Sequence, residues 1–195
     1  MHMSHNDIKP TGLLLAKDEL FDFAFDREDV KWLMDNYPTE AATNRNTVEY
    51  ELHLLKIISV GWCISYFLEE HPYKDTLSKL FWMAVKDFSG NLSNTTGLMI
   101  GQDIDYFQVL RDRLIYYVSA LSESGEKDPL TVIGGFFAEK CGNADDIFAS
   151  ITGSKLFMSV IGRIREYLDN IDLDPSHDNL EKNKTQIIGD DISIH

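Results

Sequence analysis

The fold turns on the stretch Asn46–Glu70, NTVEYELHLLKIISVGWCISYFLEE. Asn46 is suited to start a helix, because its side-chain oxygen accepts from an early backbone N–H that has no partner inside the helix. Glu49, three residues on, completes a capping-box pattern. Glu49 and Glu51 also place negative charge near the positive end of the helix dipole. From Leu52 to Leu68 the apolar residues fall on every face, and Lys56 is the only charge between His53 and Glu69. A helix that is apolar all round has to be covered by protein or by lipid.

Protein cover is the better reading. The uncharged run Ile57–Leu68 is shorter than the roughly 20 apolar residues a bilayer crossing needs. It contains Ser59, Gly61 and Ser65, and acidic residues bracket it. These small residues let a neighbouring helix come close. Gly61 costs about 1 kcal/mol against alanine inside a helix, which close packing would offset. A strand over Lys56–Cys63 fits the β-branched content but not the length or the cap. The stretch is therefore expected to be a buried central helix, 46–70.

Working outward, 195 residues suggest one domain. The net charge is −14 and the isoelectric point about 4.7. That balance speaks against nucleic acid and anionic membrane as partners, since both attract positive charge. It suits a basic protein partner, whose approach it would steer. Cys63 and Cys141 make no disulfide framework and read as buried thiols. The start, MHMSHNDIKPTG, lacks a basic region followed by an apolar core. The expected location is the cytoplasm.

On the N-terminal side, residues 1–25 read as an arm. His2 and His5 lie in its polar start, and Leu20–Phe25, LFDFAF, alternates Phe21, Phe23 and Phe25. That period of two suggests an extended segment with one aromatic face, lying over the helical body. Residues 26–171 read as the helical domain. A helix begins near Asp26, with Val30, Leu33 and Met34 inside, and ends at Tyr37–Pro38 because a residue before proline leaves the helical region.

After the central helix, Pro72 opens another with Leu77, Leu80, Phe81, Ala84, Val85 and Phe88 inside, closed by Ser89–Gly90. Residues 91–101 read as a loop. A helix from about Gln102 to Leu121 buries Phe107, Leu110, Leu114, Val118 and Leu121. Asp128–Pro129 starts the next, where Gly134–Gly135 marks a close crossing or a kink and Gly142 its end. Asn143 and Asp146 cap a short helix, Thr152–Gly153 interrupts, and Ser154 caps a last long one to Ile171. Residues 172–195 read as a mobile acidic tail with an apolar end, Ile187, Ile188, Ile192 and Ile194. The expected architecture is an all-α, single-domain bundle of about six or seven helices around the central one.

The sequence is poor in chemistry. Glu49 and His53 share one helix face, but no second half completes the inward Glu and Glu-x-x-His set of bundle metal sites. No metal or cofactor is expected. There is no Gly-x-Ser-x-Gly and no phosphate-binding loop, and acidic pairs such as Asp145/Asp146 sit where helix starts want them. No catalytic residue is expected.

The preferred function is therefore a non-enzymatic acidic protein that binds another, basic protein to regulate or neutralise it, as an immunity or anti-defence protein does. A second reading is a small-ligand-binding or enzymatic domain, with a pocket between the central helix and residues 98–106 near His53 and Tyr106. A third is a structural homodimer in which the tail or the Phe21–Phe25 arm crosses to a second copy. The residues singled out for a pocket or an interaction are Glu49, His53, Tyr106, Phe21, Phe23 and Phe25.

Overall fold

In a computed structural model of the chain, residues 12–101, 104–123, 125 and 129–173 are described. Among them the fold is all helical, with no strand. The helices run α1 (Gly12–Phe25), α2 (Glu28–Asp35), α3 (Arg45–Phe67), α4 (Lys74–Ile100), α5 (Tyr106–Glu123), α6 (Pro129–Lys140) and α7 (Ile147–Asn170). The residues expected to form the polar start of the arm and most of the acidic tail, including His2, His5 and Ile187–Ile194, lie outside the described residues.

α3 is the axis. It packs against α1, α2, α4, α5 and α7, while α6 covers α7 and α5. Burial follows on all its faces: Leu52, Leu55, Ile58, Val60, Cys63 and Ile64 are all enclosed. Each such aliphatic side chain contributes about 1.5–3 kcal/mol on leaving water. Gly61 has the role expected of it, since a side chain there would run into the Trp82 indole on α4.

Five local expectations are corrected. The cap of α3 is Asn44, whose side chain accepts from the backbone of Asn46 at 2.9 Å and Thr47 at 3.3 Å. The box between Asn46 and Glu49 therefore does not form, because the helix starts earlier. Leu20–Phe25 is the end of helix α1, not an extended segment. Leu13, Ala16, Leu20 and Ala24 are its buried row, a helical spacing that outweighs the short alternation of phenylalanines. The arm thus joins the bundle as a full helix.

α4 does not stop at Gly90 but runs to Ile100. Polar residues in its last turns bond back to the helix: the Ser93 hydroxyl donates to the Ser89 carbonyl and Thr95 to Asn91, each at 2.8 Å. Gly101, at φ 68°, ends it in the left-handed region. α5 buries Leu110, Tyr117 and Ala120 and leaves Val118 exposed, so its inner row is rotated from the expected one. Finally, α7 is continuous through Thr152–Gly153. Asp146 is its cap, Thr152 donates to the Phe148 carbonyl at 2.7 Å, and Gly153 faces the Phe137 ring.

α6 and α7 cross where Gly134 meets the backbone of Ser150. The α6 end is a Schellman motif: Asn143 N–H reaches the Ala138 carbonyl, Gly142 N–H reaches Glu139, and Gly142 has φ 98°. By length and composition α7 is long and apolar enough to cross a bilayer. Here its row Leu156, Phe157, Val160, Ile164 and Leu168 is buried in the bundle.

Candidate functional site

Two features stand out, a cleft beside His53 and an apolar face on α2 and α7. The cleft encloses about 340 Å³ where α1, α3, α4 and α5 meet. α3 supplies Tyr50, His53, Leu54 and Ile57, which share one helix face at spacings of three and four. α4 adds Phe88, Ser89 and Leu92, and α5 adds Tyr106 and Leu110. Ala24 and Phe25 close it from α1, and Arg27 is the charged side chain in its wall. The Phe25 and Phe88 rings pack at 4.5 Å between centroids, and Phe21 stands behind both.

The polar corner is sparse. The imidazole Nε2 of His53 is buried without a hydrogen-bond partner. Burial, then the Arg27 charge, holds the His53 pKa below its ordinary value, so the ring is neutral at neutral pH. The Tyr106 hydroxyl lies 3.4 Å from that of Thr96, and its backbone N–H donates to the Ser93 hydroxyl at 3.2 Å. Burial, followed by the Glu51 carboxylate, raises the Tyr50 pKa. Arg27 meets Glu49 at 3.4 Å in the open.

The six residues singled out from the sequence are therefore divided. His53, Tyr106 and Phe25 line the cleft. Glu49 touches its wall through Arg27, and Phe21 backs it. Phe23 lies elsewhere, with the Lys56 ammonium 4.6 Å and the Arg163 guanidinium 4.5 Å from its ring. The expected pocket against residues 98–106 uses Tyr106 but not Leu98 or Met99, which are 91% and 79% exposed. Of the α4 members, Phe88 falls on the inner face expected from the sequence and Ser89 at its expected end, whereas Leu92 enters the wall only because α4 continues past Gly90. The signal for Tyr50, Leu54 and Ile57 was present in their spacing from His53.

Nucleophilic chemistry finds little footing here. Burial pushes both thiols up to about 12, with Glu51 and Asp146 adding to the effect at Cys141. They are protonated at neutral pH and weak as nucleophiles. Among the described residues no three histidine, cysteine or carboxylate side chains gather as a metal site would need.

Compared with models of protein families, with curated proteins and with solved structures, the chain matches none.

The second feature is a surface. Ile147, Ile151 and Met158 are exposed along one side of α7, with Lys155 between them. Trp32 on α2 is 63% exposed, and it borders a hollow of about 270 Å³ with Leu156 and Met158. Glu28 and Asp35, a turn to either side of Trp32, and Asp145, just before α7, are exposed. The face thus has a mostly apolar middle, interrupted by Lys155, and acidic residues at its margin. Exposed apolar residues scattered singly need no explanation, whereas contiguous ones mark interaction sites.

Proposed function

We propose that the protein is a non-enzymatic acidic binding protein that docks a basic protein partner on the α2–α7 face, to regulate or neutralise it. The observation that carries this reading is the exposed Trp32 beside Met158. An indole half out of solvent, next to a hollow, has the makings of an interface anchor. The −14 charge and the acidic margin favour a partner with a basic rim, and they speed encounter more than they add affinity.

The test compares wild type with Trp32→Asp and Ile151→Glu in pull-downs from the native host, at low and high salt. Both positions are exposed, so both variants should keep the wild-type melting temperature. The reading expects one stoichiometric basic partner, weakened by salt and lost with either variant. It fails if the variants recover the same proteins as wild type. It also fails if light scattering shows a dimer that Trp32→Asp dissolves, which would make the face a contact between copies.

A further inference from the structure

We infer that the cleft beside His53 is a binding site for a compact apolar monocarboxylate, its body among the side chains of α3, α4 and α5 and its carboxylate at Arg27. This site is separate from the α2–α7 face and does not depend on it.

Size and wall come first. A volume of about 340 Å³ lies at the low end of small-molecule sites, which span ~300–1,000 Å³. The walls are mostly apolar: Leu54, Ile57, Phe88, Leu92 and Leu110 come from three helices. Tyr50, Phe88 and Leu92 remain 40–42% exposed at the opening. A folded core normally buries such side chains against one another. Here four helices meet and leave them wetted, and an apolar guest would cover them.

Charge selects the guest. The chain carries −14, yet the charged residue in this wall is an arginine. Its contact with Glu49 is 3.4 Å long and exposed, whereas a strong charge-assisted bond is nearer 2.7–2.9 Å. The guanidinium therefore keeps donors for a planar carboxylate, which it matches in a two-pronged fashion. Tyr50 and Tyr106 add hydroxyl-bearing rings to the same wall. A cationic guest would face Arg27 with like charge, and a purely apolar one would leave it idle.

Titration calorimetry below the micelle concentration tests this, with decanoate, decanol and decylamine as probes on the full chain. The expected result is one decanoate per chain, bound about tenfold tighter than either of the others. Imidazole proton resonances of His53 should shift on titration. Arg27→Gln should erase the preference for decanoate while leaving decanol binding unchanged. Leu92→Trp, at a half-exposed position in the opening, should block all binding without lowering the melting temperature. Equal affinity for the three probes, several decanoates per chain, or unchanged binding to Leu92→Trp would each overturn the inference. Trp32→Asp should leave decanoate binding intact, which separates this site from the protein-docking reading.

Discussion

Thr43 and Asp146, 103 residues apart in the chain, are joined by two hydrogen bonds onto one carboxylate oxygen, from the Thr43 hydroxyl at 2.6 Å and its backbone N–H at 2.9 Å. The other oxygen of Asp146 accepts from the N–H groups of Phe148 at 2.9 Å and Ala149 at 3.2 Å. One buried side chain thus caps α7 and ties its start to the linker that leads into α3.

Asp146→Ala should therefore cost about 2–4 kcal/mol, combining a lost cap with unpartnered donors. Asp146→Asn, which can still cap, should cost about 1 kcal/mol. Urea melts of the two variants and of Thr43→Val would check this. The Thr43 and Asp146 effects should be less than additive, since they share the same bonds.

Acid should reveal the same carboxylate. Burial alone would raise the Asp146 pKa, but the bonds from the Thr43 hydroxyl and from the Ala149, Thr43 and Phe148 backbones outweigh it, and the value is lowered. A group with a depressed folded pKa contributes stability above its unfolded pKa and loses it as the pH falls through the folded one. Melting temperature should drop below about pH 4, and the drop should be shallower in Asp146→Asn. Parallel pH profiles for wild type and variant would contradict this.

Lys56 is fully buried, 2.9 Å from an Asp29 oxygen and 2.8 Å from the Asp26 carbonyl. Arg163 also holds Asp29, at 2.9 Å. Lys56→Ala should destabilise by about 2–4 kcal/mol through a cavity and a broken buried pair. Lys56→Met keeps the volume and leaves Asp29 with Arg163, so it should cost clearly less. Equal losses for alanine and methionine in denaturant unfolding would sink the argument.

The neighbouring glycines of α6 should respond with opposite sign. A Cβ at Gly134 would lie 2.7 Å from the Ser150 carbonyl oxygen, while one at Gly135 meets nothing within 4 Å. Gly135→Ala should stabilise by up to about 1 kcal/mol through helix propensity. Gly134→Ala should destabilise by about 1–2 kcal/mol, because the overpacked crossing with α7 exceeds that gain. Gly90→Ala, in open space within α4, should behave like Gly135→Ala. Calorimetric melts decide all three.

Arg113 grips Glu51 with two bonds, of 2.9 and 2.7 Å, and Glu51 is buried. Arg113→Met alone should cost about 3–5 kcal/mol, because it strands a buried carboxylate. The double variant Glu51→Leu with Arg113→Met should recover much of that loss. A double-mutant cycle with no coupling would show that the pair is not felt.

Much of this fold was legible before any coordinates. α3 was readable because Leu52–Leu68 leaves no polar face, and Pro129 and Gly142 marked the bounds of α6. Gly90 and Gly153 look like helix stops, but a helix tolerates a glycine at modest cost when its flanks are held, as the Phe137 ring holds Gly153. In α1 the three alternating phenylalanines imitate a strand, whereas the buried row Leu13–Ala16–Leu20–Ala24 has helical spacing and decides the element. The cleft was half legible: Phe25, His53 and Tyr106 are readable as candidates, but the contribution of Leu92 requires a helix that continues past Gly90.

The sequence by itself determined that the chain is acidic, helical and built around one enclosed helix, since charge and hydrophobic period are local properties of the residues. Only the tertiary structure decided that Lys56 meets Asp29, that Thr43 meets Asp146, and that Phe25, His53 and Phe88 border one cleft. Those meetings depend on how helices cross and on small positions such as Gly61 and Gly134, where a difference of one methyl group sets the approach. No spacing along the chain encodes that directly.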